Sequence, residues 1–476
     1  MNKYCFRPAI VMLLLAATQS GVGDEDSTRT VDALRKYVHQ PDPAYSWQVV
    51  KKVEGDRVTT LVVRLTSQSW LTKADVDRPV WMHWLVIVRP HQPAHNKSFL
   101  LIGGGSNDGE PPERPSQVTS RIAQATNSVV AELRMVPNQP LTFHGDGVRR
   151  KEDDLIGYAW AQFLDTGNVH WLPRLPMVKS VVRAMDCIQE LMASKEGGEL
   201  EIQEFVVAGG SKRGWTTWMT GAADKRVAAI VPIVIDVVHT DRSMRHHAAV
   251  YGFWADAIGD YVRHGITKRW GDPRMPRLYE AVDPYYHLDR LRMPKFIVNA
   301  CGDQFFCPDS SQFYFDKLQG EKMLRYVPNA DHSLDGSDAV ESIAAFYQTL
   351  LTGQSRPKLD WTFESDGSLR VTTKDRPTRV LLWQATNPKA RDFRLKTIGA
   401  AFVSRELQEE GGGKYVGRIE PPEQGWAAFL IELTFDTGTP LPLKLTTAVR
   451  ILPDKLPYAG IDPDTTPYES EAAGSR

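Results

Sequence analysis

The segment Phe205-Val206-Val207-Ala208-Gly209-Gly210-Ser211-Lys212-Arg213-Gly214-Trp215 constrains this chain more than any other. A short continuous apolar run is the pattern of a strand covered on both faces. Here the run leads into two glycines, a serine and then a helix-compatible stretch. Such a turn lifts the serine hydroxyl above the sheet edge, beside the free N–H groups of a helix N-terminus. The strand half of the pattern recurs at 98–102, 227–235, 295–300 and 324–328. Helical patterns fall at 115–124, 175–195 and 337–352. In the second, Val178, Val181, Val182, Met185, Ile188 and Leu191 recur at helical spacing. Strands alternating with helices predict βαβ units and an α/β fold with a mostly parallel sheet. Residues 45–102 read as strands, and 240–290, rich in aromatic residues and arginine, as a helical cap insertion.

The 476 residues suit about two or three cores. After Gly353 short β-rich runs alternate with turns, as in Leu369-Arg370-Val371-Thr372-Thr373, and predict a C-terminal all-β sandwich domain. The expected boundaries are a signal peptide at 1–23, an α/β-hydrolase-like domain at 24–355, a β-sandwich at 356–456 and a flexible tail at 457–476. Lys3 and Arg7, then the apolar run from Ala9 to Ala17 and small polar residues before Asp24, form the three parts of an export signal. That run is shorter than the ~20 residues of a membrane span, so a secreted or periplasmic protein is expected. With 57 Lys+Arg against 58 Asp+Glu, the net charge of −1 gives no sign of nucleic-acid or polybasic membrane partners. Cys187, Cys301 and Cys307 are too few for a disulfide framework. Cys301 and Cys307 are near enough in sequence to close a small loop or to remain buried thiols.

A serine is inert until held beside a base and an oxyanion site. His332, in Asn329-Ala330-Asp331-His332-Ser333, follows the strand-like run at 324–328 and is the candidate base. Asp303 follows the run at 295–300, where a carboxylate can hold an imidazole Nδ1–H. The order Ser211, Asp303, His332 is the α/β-hydrolase order. Asp236, at the end of the run at 227–235, is the second choice of acid. The oxyanion would be met by the Lys212 N–H and by the Gly103-Gly104-Gly105 loop, chiefly Gly104 and Gly105. The usual turn is G-x-S-x-G; here Arg213 stands where the second glycine belongs and Gly214 comes one later. No zinc spacing, P-loop or dinucleotide fingerprint occurs, so neither cofactor nor metal is expected. His246-His247 and the pair His91 and His95 read as surface or loop histidines.

Gly210-Ser211-Lys212-Arg213-Gly214-Trp215-Thr216-Thr217-Trp218, Val231-Pro232-Ile233-Val234-Ile235-Asp236, Gly302-Asp303-Gln304-Phe305-Phe306, Trp81-Met82-His83-Trp84 and Asp331-His332-Ser333 carry a further signal. From about Val31 to about Pro453 the chain resembles the PhoPQ-activated pathogenicity-related proteins. The resemblance implies an α/β-hydrolase-like domain followed by a β-rich one, on an exported protein. The Ser-Lys-Arg-Gly turn is also similar to the Ser-Arg-x-Gly turn of glucuronoyl esterases, which implies that Arg213 assists the oxyanion. Two functions are therefore expected. The first is a secreted serine hydrolase acting on a small-molecule or polymer ester or amide. The alternative is a non-catalytic exported binding or signalling protein on the same fold.

Overall fold

A computed structural model describes residues 30–473, so the signal read at 1–23 lies outside the described residues. The main sheet has nine strands: β1 (Ser46–Glu54), β2 (Val58–Ser69), β3 (Val80–Pro90), β4 (Lys97–Ile102), β5 (Val130–Leu133), β6 (Glu204–Gly210), β7 (Val227–Ile233), β8 (Lys295–Ala300) and β9 (Lys322–Val327). Their order is β1-β2-β3-β5-β4-β6-β7-β8-β9. The pairs β1/β2, β2/β3 and β3/β5 are antiparallel. From β5 through β9 every pair is parallel.

Among the described residues these helices accompany them: α1 (Ala33–His39), α2 (Gln117–Thr126), α3 (Glu152–Thr166), α4 (Arg174–Ala193), α5 (Lys212–Ala223), α6 (Thr240–Tyr251), α7 (Gly259–Arg263), α8 (Met275–Val282) and α9 (Ala339–Thr352). Strand side chains alternate between the two faces. Phe205 and Val207 of β6 therefore join the core under α4 and α5, with Val178, Val181 and Trp218. Val206 and Ala208 join the opposite core under α2 and α9, with Ile122, Ile343 and Phe346. The continuous apolar runs in the sequence have this cause: both faces of the strands are covered. Residues 240–290 form α6, α7, α8 and intervening 3₁₀ turns.

The C-terminal region contains β10 (Leu359–Phe363), β11 (Leu369–Thr373), β12 (Arg379–Asn387), β13 (Val403–Glu406), β14 (Lys414–Gly417), β15 (Trp426–Phe435), β16 (Leu443–Thr446) and β17 (Arg450–Leu452). A three-stranded sheet, β10-β11-β14, accompanies a five-stranded one built on β12 and β15. Their core is not separate. Val371, Leu382, Phe429 and Ile431 belong to the same cluster as Phe346 of α9 and Val298 of β8.

Two expectations need correction, and the alternatives left open for the cysteines are resolved. The stretch after 457 is docked through the last described residues: Trp254 and Tyr468 form a β-bridge, and the Glu469 carboxylate binds Arg394 at 2.9 Å and Lys396 at 2.9 Å. Proline and polar residues made it look loose, but its partners come from elsewhere in the chain. His246 and His247 are buried, not surface residues: Asp309 holds His246 Nε2 at 2.9 Å, and His247 stacks on Trp254. Cys187, Cys301 and Cys307 are free, buried thiols, so the small loop is not bridged. Strand β5 and helix α3 were not read from the sequence.

Candidate active site

Ser211 sits between β6 and α5 with φ 56° and ψ −128°, a conformation costing about 1–3 kcal/mol for a non-glycine residue. Its N–H donates to the Ile233 carbonyl at 2.8 Å, tying the turn to β7. The glycines explain the unusual spacing. A Cβ at Gly209 would lie 2.7 Å from the Arg213 carbonyl oxygen, and one at Gly214 would lie 2.7 Å from both the Gly209 oxygen and Ile235 Cγ2. The turn therefore needs its second glycine at 214, leaving 213 free to carry a side chain.

Arg213 uses that freedom on the protein. Its Nη1 and Nη2 donate to Glu152 at 2.8 and 2.6 Å, and its Nε donates to the Val136 carbonyl at 2.6 Å. Lys212 Nζ reaches Glu152 at 2.9 Å and Asp153 at 3.1 Å. Burial pushes the Glu152 carboxyl up, but Arg213 and Lys212 hold it down at about 2. Glu152 Oε1 also accepts from the Gln139 amide, whose other bond goes to the Gly105 carbonyl. Arg213 thus meets the glycine loop side-on: a Cβ on Gly104 would be 2.7 Å from Nη2. The Gly103 N–H is spent on the Leu133 carbonyl at 2.7 Å. Lys212 opens α5, where backbone N–H groups have no partner within the helix. Sequence reasoning missed Glu152 and Gln139. The acidic run Glu152-Asp153-Asp154 at a helix start was the available signal.

Asp303 and His332 meet. The His332 Nδ1 lies 2.7 Å from Asp303 Oδ2, and Asp303 Oδ1 accepts from the N–H groups of Phe305 at 2.7 Å and Phe306 at 3.3 Å. With Nδ1–H held by the carboxylate, Nε2 is the lone-pair nitrogen. It is buried and has no hydrogen-bond partner among the described residues. Phe305 lies against the ring at 4.5 Å between centroids. Ser211, Lys212 and His332 line one cavity; Gly104, Gly105 and Arg213 lie outside its walls. Asp236 is elsewhere. It is fully buried and accepts from the Tyr326 hydroxyl, and burial raises its carboxyl to about 7 despite Tyr314 and Tyr326.

The rest of the cavity comes from α3, α5, the loop after β7, α6, the turns and α7 after it, α8 and the loop after β8, including Trp160, Met244, Trp254, Tyr261, Trp270 and Phe305. The cap aromatics are thus both part of a core and the wall of a cavity.

Parallel strands β4 to β9, a strained serine after β6, a carboxylate after β8 and a histidine after β9 define an α/β-hydrolase-like protein. The chain belongs to the PhoPQ-activated pathogenicity-related protein family, whose pattern matches residues 34–394. It is similar to autocrine proliferation repressor protein A of Dictyostelium discoideum, at 37% identity over 454 residues, covering 89% of this chain and 91% of that one. Among solved structures, acetyl xylan esterase 1 from Thermoanaerobacterium sp. JW/SL YS485 is 14% identical, with a TM-score of 0.48, covering 69% of this chain and 94% of that one. A glucuronoyl esterase from Solibacter usitatus is 15% identical, with a TM-score of 0.40, covering 72% of this chain and 97% of that one. No helix among the described residues is long and apolar enough to cross a membrane.

Proposed function

We propose that this protein is an exported serine hydrolase that cleaves an ester or amide through an acyl-enzyme. The observation that carries the reading is the unpartnered His332 Nε2, with Nδ1 held 2.7 Å from Asp303, in the cavity that Ser211 also lines. Ser211 Oγ attacks the substrate carbonyl and its proton passes to Nε2. The Lys212 N–H meets the developing oxyanion. Collapse of the tetrahedral intermediate expels the leaving group, which takes the proton back from Nε2. Water, deprotonated by the same nitrogen, then releases the acid and restores Ser211. Arg213 serves here through Glu152, which ties the residues after the nucleophile to the glycine loop by way of Gln139. Export rests on the sequence at 1–23.

The test is labelling with a fluorophosphonate probe. The wild type should label, and Ser211→Ala should not, while its unfolding free energy stays within about 1 kcal/mol of the wild type. Turnover of any substrate found should fall by about a thousandfold or more. A folded wild type that resists the probe and hydrolyses no ester or amide would instead favour a binding or signalling role, the reading that the name of the Dictyostelium relative supports.

A further inference from the structure

The walls of the cavity are almost wholly apolar, and most of its few polar side chains are already committed. Thr240 Oγ1 donates to the Val237 carbonyl at 2.9 Å, and Tyr261 donates to Asp153 at 3.1 Å. Lys212 Nζ is also held by Asp153, at 3.1 Å. Trp215 Nε1 donates to the Val282 carbonyl at 2.5 Å. Among the described residues the indole N–H groups of Trp254 and Trp270 have no partner, but both nitrogens are shut off from open space. Apart from the groups at the reacting centre, only the hydroxyls of Thr267 and Tyr279 remain on the walls, too few to replace the water around a sugar. A hydroxylated ring placed here would lose more hydrogen bonds than it gained.

The shape narrows the choice further. The cavity is small, about 80 Å³. Its walls therefore stand close together. Trp254 and Trp270 lie nearly parallel, 15° apart at 5.9 Å between centroids, and fix one side of the space. Met244, which packs against Trp254, is the adjustable member: its thioether chain is unbranched and can rearrange.

We propose that this slot receives the acyl half of the substrate, and that this half is an unbranched apolar chain or a flat ring rather than a sugar acid or a branched group. The inference rests on the hydrolase reading of Ser211. Among p-nitrophenyl esters, kcat/KM should rise about fourfold per methylene from acetate to butyrate and on towards hexanoate. Phenylacetate should match the better chains and pivalate should be poor. Met244→Ala should move the optimum to longer chains. A second measurement leaves out the chemistry: titration of Ser211→Ala with phenylacetate or hexanoate, followed by tryptophan fluorescence. Both acids should bind, and glucuronate should not. Turnover that is flat with chain length, or best with acetate or a glucuronate ester, overturns the slot while the hydrolase reading stands. Binding of the apolar acids by Ser211→Ala, with no ester turned over by the wild type, keeps the slot and removes the hydrolase reading. Failure of both acids to bind overturns the slot.

Discussion

Asp303 and Asp236 are both buried carboxylates near the C-terminal ends of parallel strands, yet their surroundings differ. Asp303 is surrounded by donors: two backbone N–H groups on one oxygen and the His332 Nδ1–H on the other. Asp236 faces tyrosine hydroxyls, and burial raises its carboxyl from 3.8 to about 7, with Asp303 and Asp309 adding to the rise. In the proposed mechanism Asp303→Asn should reduce turnover by up to about ten-thousandfold, by favouring the wrong imidazole tautomer. Asp236→Asn should leave kcat/KM within about threefold. It should instead change the pH dependence of stability. A carboxyl raised on folding favours its protonated form, so its stabilisation is complete below pH ~4 and is lost as pH rises through ~7. Asparagine cannot ionise and can still accept from Tyr326. Asp283, raised to about 6 by burial, and the buried His83, His247 and His287 titrate in both proteins, so the test is the difference between them. Between pH 5 and 8 the unfolding midpoint of the wild type should fall relative to that of Asp236→Asn, by an amount worth a few kcal/mol at most. A difference that stays constant with pH would show that Asp236 is not protonated in the folded chain. In the sequence both aspartates follow strand-like runs, and Asp303 is preferred by position alone. Which carboxylate faces the imidazole depends on loop conformation, and no residue pattern encodes that directly.

At the scale of elements, α3 matters for the site although only the acidic run Glu152-Asp153-Asp154 marked its start. Lys151 stands at its N-cap with no side-chain cap bond, and Glu152, its first residue, has φ 54°. Strand β5 was hidden for a related reason. It has only four residues, and Glu132, held by Arg134 at 3.0 Å, interrupts its apolar run. By contrast β4, β6, β8 and α4 were legible because burial on both faces, or along one helix stripe, writes itself into composition. Glu152 is the consequence for function. It joins Lys212 and Arg213, which follow the nucleophile, to Gln139, which holds the Gly105 carbonyl. Glu152→Gln removes the charge that both cations share but keeps the size. It should cost about 1–2 kcal/mol, below the value for a fully buried pair because Glu152 is partly exposed. As a positioning residue it should lower kcat by about tenfold to a hundredfold with little change in KM. It should also slow fluorophosphonate labelling of Ser211. A variant that loses stability but labels at the wild-type rate would make Glu152 a structural residue only.

Across the whole molecule, the change of texture after Gly353 marked a second, β-rich region, but its union with the first region was not legible. Contacts between regions join residues far apart in sequence, and each looks like ordinary core or loop in isolation. Two of them bear on the candidate site. The Leu395 N–H donates to the Gly302 carbonyl at 2.9 Å, beside Asp303. A Cβ on Gly302 would lie 2.9 Å from the Leu395 nitrogen and 2.8 Å from the Ala330 oxygen, so the approach requires glycine. Asn329, three residues before His332 and at φ 56°, bonds Phe402 twice: its amide donates to the Phe402 carbonyl and its oxygen accepts the Phe402 N–H, each at 2.9 Å. Farther down the sheet, the Tyr326 N–H donates to Thr446 Oγ1 at 2.9 Å. The segment between β12 and β13 thus holds the loops that carry Asp303 and His332, and the C-terminal strands share a core with α9. Asn329→Ala removes both bonds to Phe402 and places an alanine in the left-handed region, where the cost is about 1–2 kcal/mol from the backbone alone. The two lost bonds add about 1 kcal/mol each. Asn329→Gly relieves the backbone but not the bonds, so the two variants separate the contributions. Both should unfold at lower temperature than the wild type, alanine lower than glycine. In the proposed mechanism both should also lower kcat, because the His332 loop loses its support. If Asn329→Gly keeps full turnover while losing stability, the C-terminal region stabilises the fold without positioning the imidazole. If neither variant is destabilised, the clamp carries no measurable energy and the His332 loop is held from its own side of the chain.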